Sequence, residues 1–261
     1  MITDKKIVEY AEALYNAEKT RVAIDPLSKD KDFENLDSAY AVQLKQIEKK
    51  LKKGEKIVGK KIGLTSIPMQ EMFNVESPDY GHLTDKMWIK DGKVSPGHLI
   101  QPKVEAEIAF VLKNDLKGPN ITAEQVLEST KYVMAAFEIV DSRIKDWEIG
   151  LLDTVSDNAS SGMFLLGNHK IAVDEINLNK EAMKLEKNGE FVNEGLGSAA
   201  LGDPAYCVAW LANKMSEYGV TLKKGEVILS GALSAALDAR PGDSFKAFFS
   251  TLGEIEVIFE E

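Results

Sequence analysis

Val104-Glu105-Ala106-Glu107-Ile108-Ala109-Phe110-Val111-Leu112 is the stretch from which the fold can be read. Val104, Ala106, Ile108, Phe110 and Leu112 alternate strictly, the period of a β-strand that turns one apolar face to a core. Glu105 and Glu107 are two residues apart, so both carboxylates project from the opposite face, side by side. An isolated Glu-x-Glu in a strand is ordinarily a solvated edge. Here Ala109 and Val111 continue the glutamate face with apolar side chains, which argues for burial. Carboxylates buried that close together must be protonated or neutralised by a cation.

Glu138 sits in the equally apolar strand Val133-Met134-Ala135-Ala136-Phe137-Glu138-Ile139-Val140 and is a third candidate for the same site. Three carboxylates without thiolate partners suit a hard divalent cation, Mg²⁺ or Mn²⁺, with open positions left for a chelating oxygenated substrate. Zinc would prefer histidine or thiolate. His82, His98 and His169 have no metal-ligand spacing and read as surface or loop residues, and Cys207 reads as a small buried hydrophobe. Lys61 lies in Gly59-Lys60-Lys61-Ile62-Gly63, where glycines on its own strand face leave room for a ligand. Asp79, in Ser77-Pro78-Asp79-Tyr80-Gly81, reads locally as a turn former. Asp157-Asn158-Ala159-Ser160-Ser161-Gly162 reads as a turn or as a ligand-contacting loop rich in donors and acceptors.

Around these segments the pattern is that of an α+β fold with a mostly antiparallel core. Thr3 caps a helix carrying Ile7, Tyr10, Ala11 and Leu14, and a second helix after Asp37 carries Tyr40, Leu44, Ile47 and Leu51. The polar, proline-broken stretch Ile24-Asp25-Pro26-Leu27-Ser28-Lys29-Asp30-Lys31-Asp32 between them reads as a surface connection. Strands follow at Ile57-Val58-Gly59-Lys60-Lys61-Ile62-Gly63-Leu64 and late in the chain at Val227-Ile228-Leu229 and Ile255-Glu256-Val257-Ile258-Phe259. Thr122-Ala123-Glu124-Gln125 is a capping box, and Asp203-Pro204 an N-cap followed by proline at the first helical position. The expected division is an N-terminal helical segment, residues 1–55, and a catalytic domain, residues 56–261, forming one compact unit. The irregular placement of helices rules out the regular βαβ alternation of a doubly wound sheet or barrel.

Composition narrows the partners. With 261 residues and 44% hydrophobic content the chain can bury a large core. A net charge of −10, with no basic run interleaved with aromatics, disfavours nucleic acid. The absence of a long apolar stretch, of a signal-like start and of paired cysteines points away from a membrane and towards the cytoplasm. No GxGxxG or GxxxxGK[ST] loop and no G-x-S-x-G elbow occurs, so nucleotide-phosphate and serine-hydrolase chemistry lose support.

Taken together the motifs resemble the 2-oxopent-4-enoate (2-hydroxypenta-2,4-dienoate) hydratases of aromatic meta-cleavage pathways, in the fumarylacetoacetate hydrolase superfamily. The resemblance is carried by Gly59-Lys60-Lys61-Ile62-Gly63-Leu64-Thr65-Ser66, Pro78-Asp79-Tyr80-Gly81, Gln101-Pro102-Lys103-Val104-Glu105-Ala106-Glu107-Ile108-Ala109-Phe110, Glu138-Ile139-Val140-Asp141-Ser142-Arg143-Ile144, Asp153-Thr154-Val155-Ser156-Asp157-Asn158-Ala159-Ser160-Ser161 and Ile228-Leu229-Ser230-Gly231-Ala232-Leu233. It implies a mixed, strongly curved β-roll with outer helices, metal ligands at Glu105, Glu107 and Glu138, and active-site residues at Lys61, Asp79 and Ser161. It also implies a homo-oligomer, of a kind that can associate with another enzyme of the pathway, and a small 2-oxo or 2-hydroxydienoate acid as substrate. The related 4-oxalocrotonate decarboxylases share the metal site, Lys61 and Asp79. Arg143-Ile144-Lys145-Asp146-Trp147 and Leu229-Ser230-Gly231-Ala232-Leu233 look more like the hydratases, whereas Ser161, where hydratases commonly carry cysteine, looks like the decarboxylases. A non-catalytic partner subunit is a further alternative, against which the intact carboxylates, Lys61 and Asp79 argue. Hydrolysis of an acylpyruvate carbon–carbon bond would need a His/Glu pair that is not found in the expected form.

Overall fold

A computed structural model describes residues 2–72, 75 and 78–261. Two helices open the chain, α1 (Asp4–Thr20) and α2 (Leu36–Lys52), capped by the side chains of Thr3 and Asn35. There follow β1 (Ile57–Gly63), α3 (Ile67–Met72), β2 (Asp79–Thr84), β3 (Trp88–Ile89), β4 (Lys93–Val94), β5 (Pro102–Leu112), α4 (Ala123–Ser129) and β6 (Thr130–Asp141). Then come α5 (Leu151–Ser156), β7 (Ser161–Leu166), β8 (Ala182–Lys187), β9 (Glu190–Leu196) and α6 (Pro204–Ser216). The chain closes with β10 (Val227–Ala232), β11 (Leu237–Asp238), β12 (Ser244–Phe249) and β13 (Gly253–Phe259). The capping box at Thr122 and the Asp203-Pro204 helix start both form as the sequence predicts.

Among the described residues the strands make two sheets. The larger runs β2-β1-β10-β5-β6-β7-β3, with β11 paired on β5, and the smaller runs β4-β13-β12-β8-β9. Pairing is mostly antiparallel, with parallel joints at β1/β10, β3/β7 and β4/β13. This is the mixed sheet of an α+β fold. The central strands β5 and β6 are buried on both faces, which explains their length and their apolar composition. Val104, Ala106, Ile108, Phe110 and Leu112 join the main core, while Ala109 and Val111 join a second cluster with Met87, Met134 and Phe164. The glutamate face of β5 is therefore an interior face, as its continuation by Ala109 and Val111 predicts.

The N-terminal helices lie against the strands that carry the site. Gln43 Nε2 donates to the carbonyl oxygens of Tyr80 (3.0 Å) and Val155 (2.8 Å), and Gln46 Nε2 to that of Ser156 (2.6 Å). The buried face of α2 accordingly differs from the expected apolar stripe. Tyr40 and Ile47 are buried, but Leu44 and Leu51 are each 40% exposed, and Gln43 and Gln46 take the interior positions. Those amides satisfy carbonyls where α5 and β2 meet, a need that apolar periodicity cannot register. The connection between α1 and α2 is likewise only partly superficial: Pro26 and Leu27 are buried, and Ile24 N–H donates to the Arg143 carbonyl at 2.9 Å.

His82 is another departure. It sits within β2, 4% exposed, with Nδ1 3.2 Å from Gln43 Oε1, instead of on the surface or in a loop. Burial and the neighbouring Lys60 charge push its pKa down to about 3, so the ring is neutral. Asp79 is not in a turn but is the first residue of β2, while Ser77 of the same motif lies outside the described residues.

Gln43→Leu removes both donors without emptying the site and should cost roughly 3 kcal/mol of stability, because two buried carbonyls lose their partners. Denaturant unfolding checks this, and an unchanged midpoint would show that the α2 amides do not anchor the helix.

Candidate metal and substrate site

Antiparallel register, invisible in the sequence, completes the carboxylate group. Glu138 of β6 lies directly opposite Glu105 of β5, so it shares the face from which Glu105 and Glu107 project. One ligand oxygen from each of Glu105, Glu107 and Glu138 lies within 4.8 Å of the others. Glu107 and Glu138 are buried, and Glu105 is partly exposed to an adjoining cavity.

Two glycines make this packing possible. Gly231 has φ +108°, a conformation open to glycine, at the irregular register between β10 and β5. Its N–H is thereby turned onto Glu107 Oε2 at 2.8 Å. Gly63 is paired with Asp79, and a Cβ there would come within 2.2 Å of Asp79 Oδ1 and 3.3 Å of Lys61 Nζ. The room predicted beside Lys61 is thus filled by the aspartate.

Lys61 Nζ lies 3.2 Å from Glu138 Oε1, an ion-pair contact without hydrogen-bond alignment. Glu107 Oε1, both oxygens of Glu138 and Asp79 Oδ1 are buried with no hydrogen-bond partner among the described residues. Burial raises all three glutamates above the usual carboxylate range, Glu105 to about 7, and like charge adds to it: Glu138 acts on Glu105 and Glu107, and Asp79 on Glu138. Burial also raises Asp79, against the opposing charge of Lys61. For Lys61 burial works against the ammonium, but the charges of Glu138, Asp79, Glu105 and Glu107 outweigh it and raise the pKa. Lys61 is therefore a protonated group in an anion-rich pocket. Orphaned, repelling oxygens with no thiolate or imidazole among them fit a hard divalent cation.

The cavity beside the carboxylates has a volume of about 660 Å³. Lys61, Asp79 and Glu105 line it together with the apolar side chains of Val140, Trp147, Ile149, Leu233 and Ala236. Asn158, Ala159 and Ser160, at φ 55°, 51° and 53°, are three consecutive left-handed residues, and Ala159 and Ser160 reach the cavity wall. Each such residue costs roughly 1 kcal/mol, so the turn needs outside support. The Arg143 guanidinium supplies it by pairing with the Asp157 carboxylate and donating to the carbonyls of Asp141, Asp157 and Ser161. The Asn158 side chain adds hydrogen bonds to the N–H and carbonyl of His82 at 2.8 and 2.9 Å. Ser161 does not line the cavity. Its hydroxyl donates to the Asn158 carbonyl at 2.7 Å, and the neighbouring Ser160 takes the wall position. The structure thus brings Lys61, Asp79, Glu105, Glu107 and Glu138 together and leaves Ser161 one residue behind. The sequence points to Ser160 only within the loop 157–162 and does not single out Gly231, Thr154 or Arg143 as site residues; a glycine interrupting the β10 strand pattern is the signal available for Gly231.

Residues 61–259 match the fumarylacetoacetate (FAA) hydrolase C-terminal family. A 2-hydroxyhexa-2,4-dienoate hydratase from Comamonas testosteroni is 43% identical over the full length of both chains. A 2-keto-4-pentenoate hydratase from Paraburkholderia xenovorans is 42% identical over 99% of this chain and 97% of its own. Among solved structures, 4-oxalocrotonate decarboxylase from Pseudomonas putida G7, complexed with magnesium and adipate, superposes with a TM-score of 0.96 at 36% identity over 99% of each chain.

The contribution of Glu105 to the stability of the metal-free protein should fall as pH rises from about 4.5 to about 7, against the opposite contribution of buried, neutral His82. Unfolded, Glu105 releases its proton near 4.5, whereas folded it holds it to about 7, so the folded state binds more protons across that window and loses ground through it. Thermal unfolding at a series of pH values, with chelator and then with Mg²⁺, checks the sign: the decline should appear with chelator and shrink with the cation. These sequence and structural matches place the chain in the 2-keto-4-pentenoate hydratase family of the fumarylacetoacetate hydrolase superfamily.

Proposed function

We propose that this enzyme is a metal-dependent hydro-lyase that adds water to 2-hydroxypenta-2,4-dienoate, or a close homologue, to give 4-hydroxy-2-oxopentanoate or its homologue. The observation that carries the reading is the placement of Lys61 beside three converging carboxylates, of which Glu105 opens, with Lys61, onto a largely apolar cavity. Glu105, Glu107 and Glu138 would hold Mg²⁺ or Mn²⁺, which when bound supplies positive charge to stabilise the enolate oxygen of a 2-oxo acid. Lys61 is the group with a proton to give, and Asp79 Oδ1, buried and unpartnered, is the acceptor beside it. Together they take the proton from the 2-hydroxyl and deliver one to C5, leaving a 2-oxo acid with its double bond between C3 and C4. Water then adds its oxygen to C4 and a proton to C3, which balances the reaction. The apolar wall keeps bulk water from the dienol.

Ser161 acts at one remove in this reading, bracing the left-handed turn that presents Ala159 and Ser160. Residues 1–55 and 56–261 work as one unit, with the α2 amides steadying the strand of Asp79 and the base of the turn. The homo-oligomer, an association with a pathway enzyme and a cytoplasmic setting also belong to the proposal. No helix among the described residues is long and apolar enough to cross a membrane.

The test supplies 2-hydroxypenta-2,4-dienoate and, separately, 4-oxalocrotonate with Mg²⁺ or Mn²⁺, following dienol absorbance and released CO₂. Loss of the dienol without CO₂ supports the hydratase, and CO₂ from 4-oxalocrotonate would support the decarboxylase instead. Lys61→Met should lower turnover by about 10²–10⁴-fold with the cation still bound. Glu107→Gln should weaken cation binding and turnover together, and a Lys61→Met enzyme of undiminished rate would remove the proton-transfer assignment.

A further inference from the structure

The cavity contains a second lysine whose charge is already engaged. Lys103 lies two residues before Glu105 on β5, hence on the same face and about 7 Å along the strand, on the side away from Glu107. Among the described residues lining the cavity, Lys61 and Lys103 are the two cationic side chains. Lys61 lies against Glu138, and Lys103 is displaced from Glu105 along β5, with Nζ 5.2 Å from the centre of the Trp147 ring. A distal carboxylate on a chelated substrate would be directed towards Lys103.

Asp238 intercepts that charge. Its Oδ1 lies 2.7 Å from Lys103 Nζ. The pair is built into the sheet: the two residues of β11 lie opposite β5, with Leu237 facing Val104 and Asp238 facing Lys103. The Asp238 carbonyl is itself held by Lys187 Nζ at 2.8 Å. Trp147 lies against Lys103 and Val140 opposite it in the sheet, and Ile149, Leu233 and Ala236 add further apolar surface to the cavity.

We propose that Asp238 sets the charge selectivity of the cavity: by pairing with Lys103 it neutralises the cation that Lys103 would otherwise present in the wall, which suits an uncharged hydrocarbon tail and not a second carboxylate. The inference rests on the hydratase reading, since it names the class of 2-hydroxydienoate that the same site accepts. Asp238 touches neither the cavity carboxylates nor Lys61, so it acts as a specificity residue through Lys103.

The experiment uses the full chain with Mg²⁺ and compares Asp238→Asn, Lys103→Met and the double variant with the parent. Calorimetry measures the binding of adipate, a dicarboxylate, and of hexanoate, the matching monocarboxylate, while hydration of 2-hydroxypenta-2,4-dienoate is followed in parallel. The parent should bind adipate no more tightly than hexanoate. Asp238→Asn should tighten adipate by about fivefold, the scale of one partly exposed charge pair, with hexanoate binding and hydration unchanged. Adding Lys103→Met should abolish the gain. An adipate affinity unmoved in folded Asp238→Asn would overturn the proposal, and so would a gain that persists without Lys103. Absent hydration in every protein would defeat the hydratase reading, while the adipate-to-hexanoate ratio would still report on Asp238.

Discussion

Mutual repulsion among Glu105, Glu107 and Glu138 is the constraint around which the rest of the site is arranged. Three carboxylates on one interior sheet face, with ligand oxygens inside 4.8 Å, cannot all ionise without compensation. The chain supplies part of it: the Lys61 ammonium beside Glu138 and the Gly231 N–H on Glu107. Three of the glutamate oxygens remain without donors among the described residues, a neutralisation that a bound cation would complete. Filling the same positions with apolar residues would make a better core and no site.

The surrounding structure holds those groups against their own repulsion. Long central strands, buried on both faces, fix Glu105, Glu107 and Glu138 on a rigid sheet. The left-handed turn at Asn158, Ala159 and Ser160 is costly in itself and is held by the Arg143–Asp157 pair and by the Asn158 side chain. Since Arg143 follows the end of β6, the strand that bears Glu138 is tied to the cavity wall. Helix α2 reaches the same neighbourhood through amides instead of apolar contacts, so the N-terminal segment is coupled to the strand of Asp79.

Much of this was legible in the sequence wherever a local rule governs the outcome. The alternation in β5 gave the strand, its buried face and two carboxylates; Thr122 and Asp203-Pro204 gave helix starts. The motifs with Lys61, Asp79 and Glu138 pointed to one site. What escaped depends on partners distant in the chain. The pairing of Glu105 with Glu138 is a matter of register, and the burial of Gln43, Gln46 and His82 follows from carbonyls and strands that only folding brings near. Asp79 resembled a turn residue because the strand it opens has no apolar period of its own. Ser161 and Ser160 differ in placement because of backbone angles that two adjacent serines do not reveal.

The central claim is that the three glutamates are held partly protonated by burial and repulsion until a cation relieves them. Calorimetric titration of Mg²⁺ into metal-free protein near pH 7, repeated in buffers of different ionisation enthalpy, counts the protons released on binding. Saturable binding with net proton release is the expected result, because the cation requires carboxylates that the empty site keeps above their ordinary pKa. Binding without proton release, or no binding at millimolar Mg²⁺, would contradict the account.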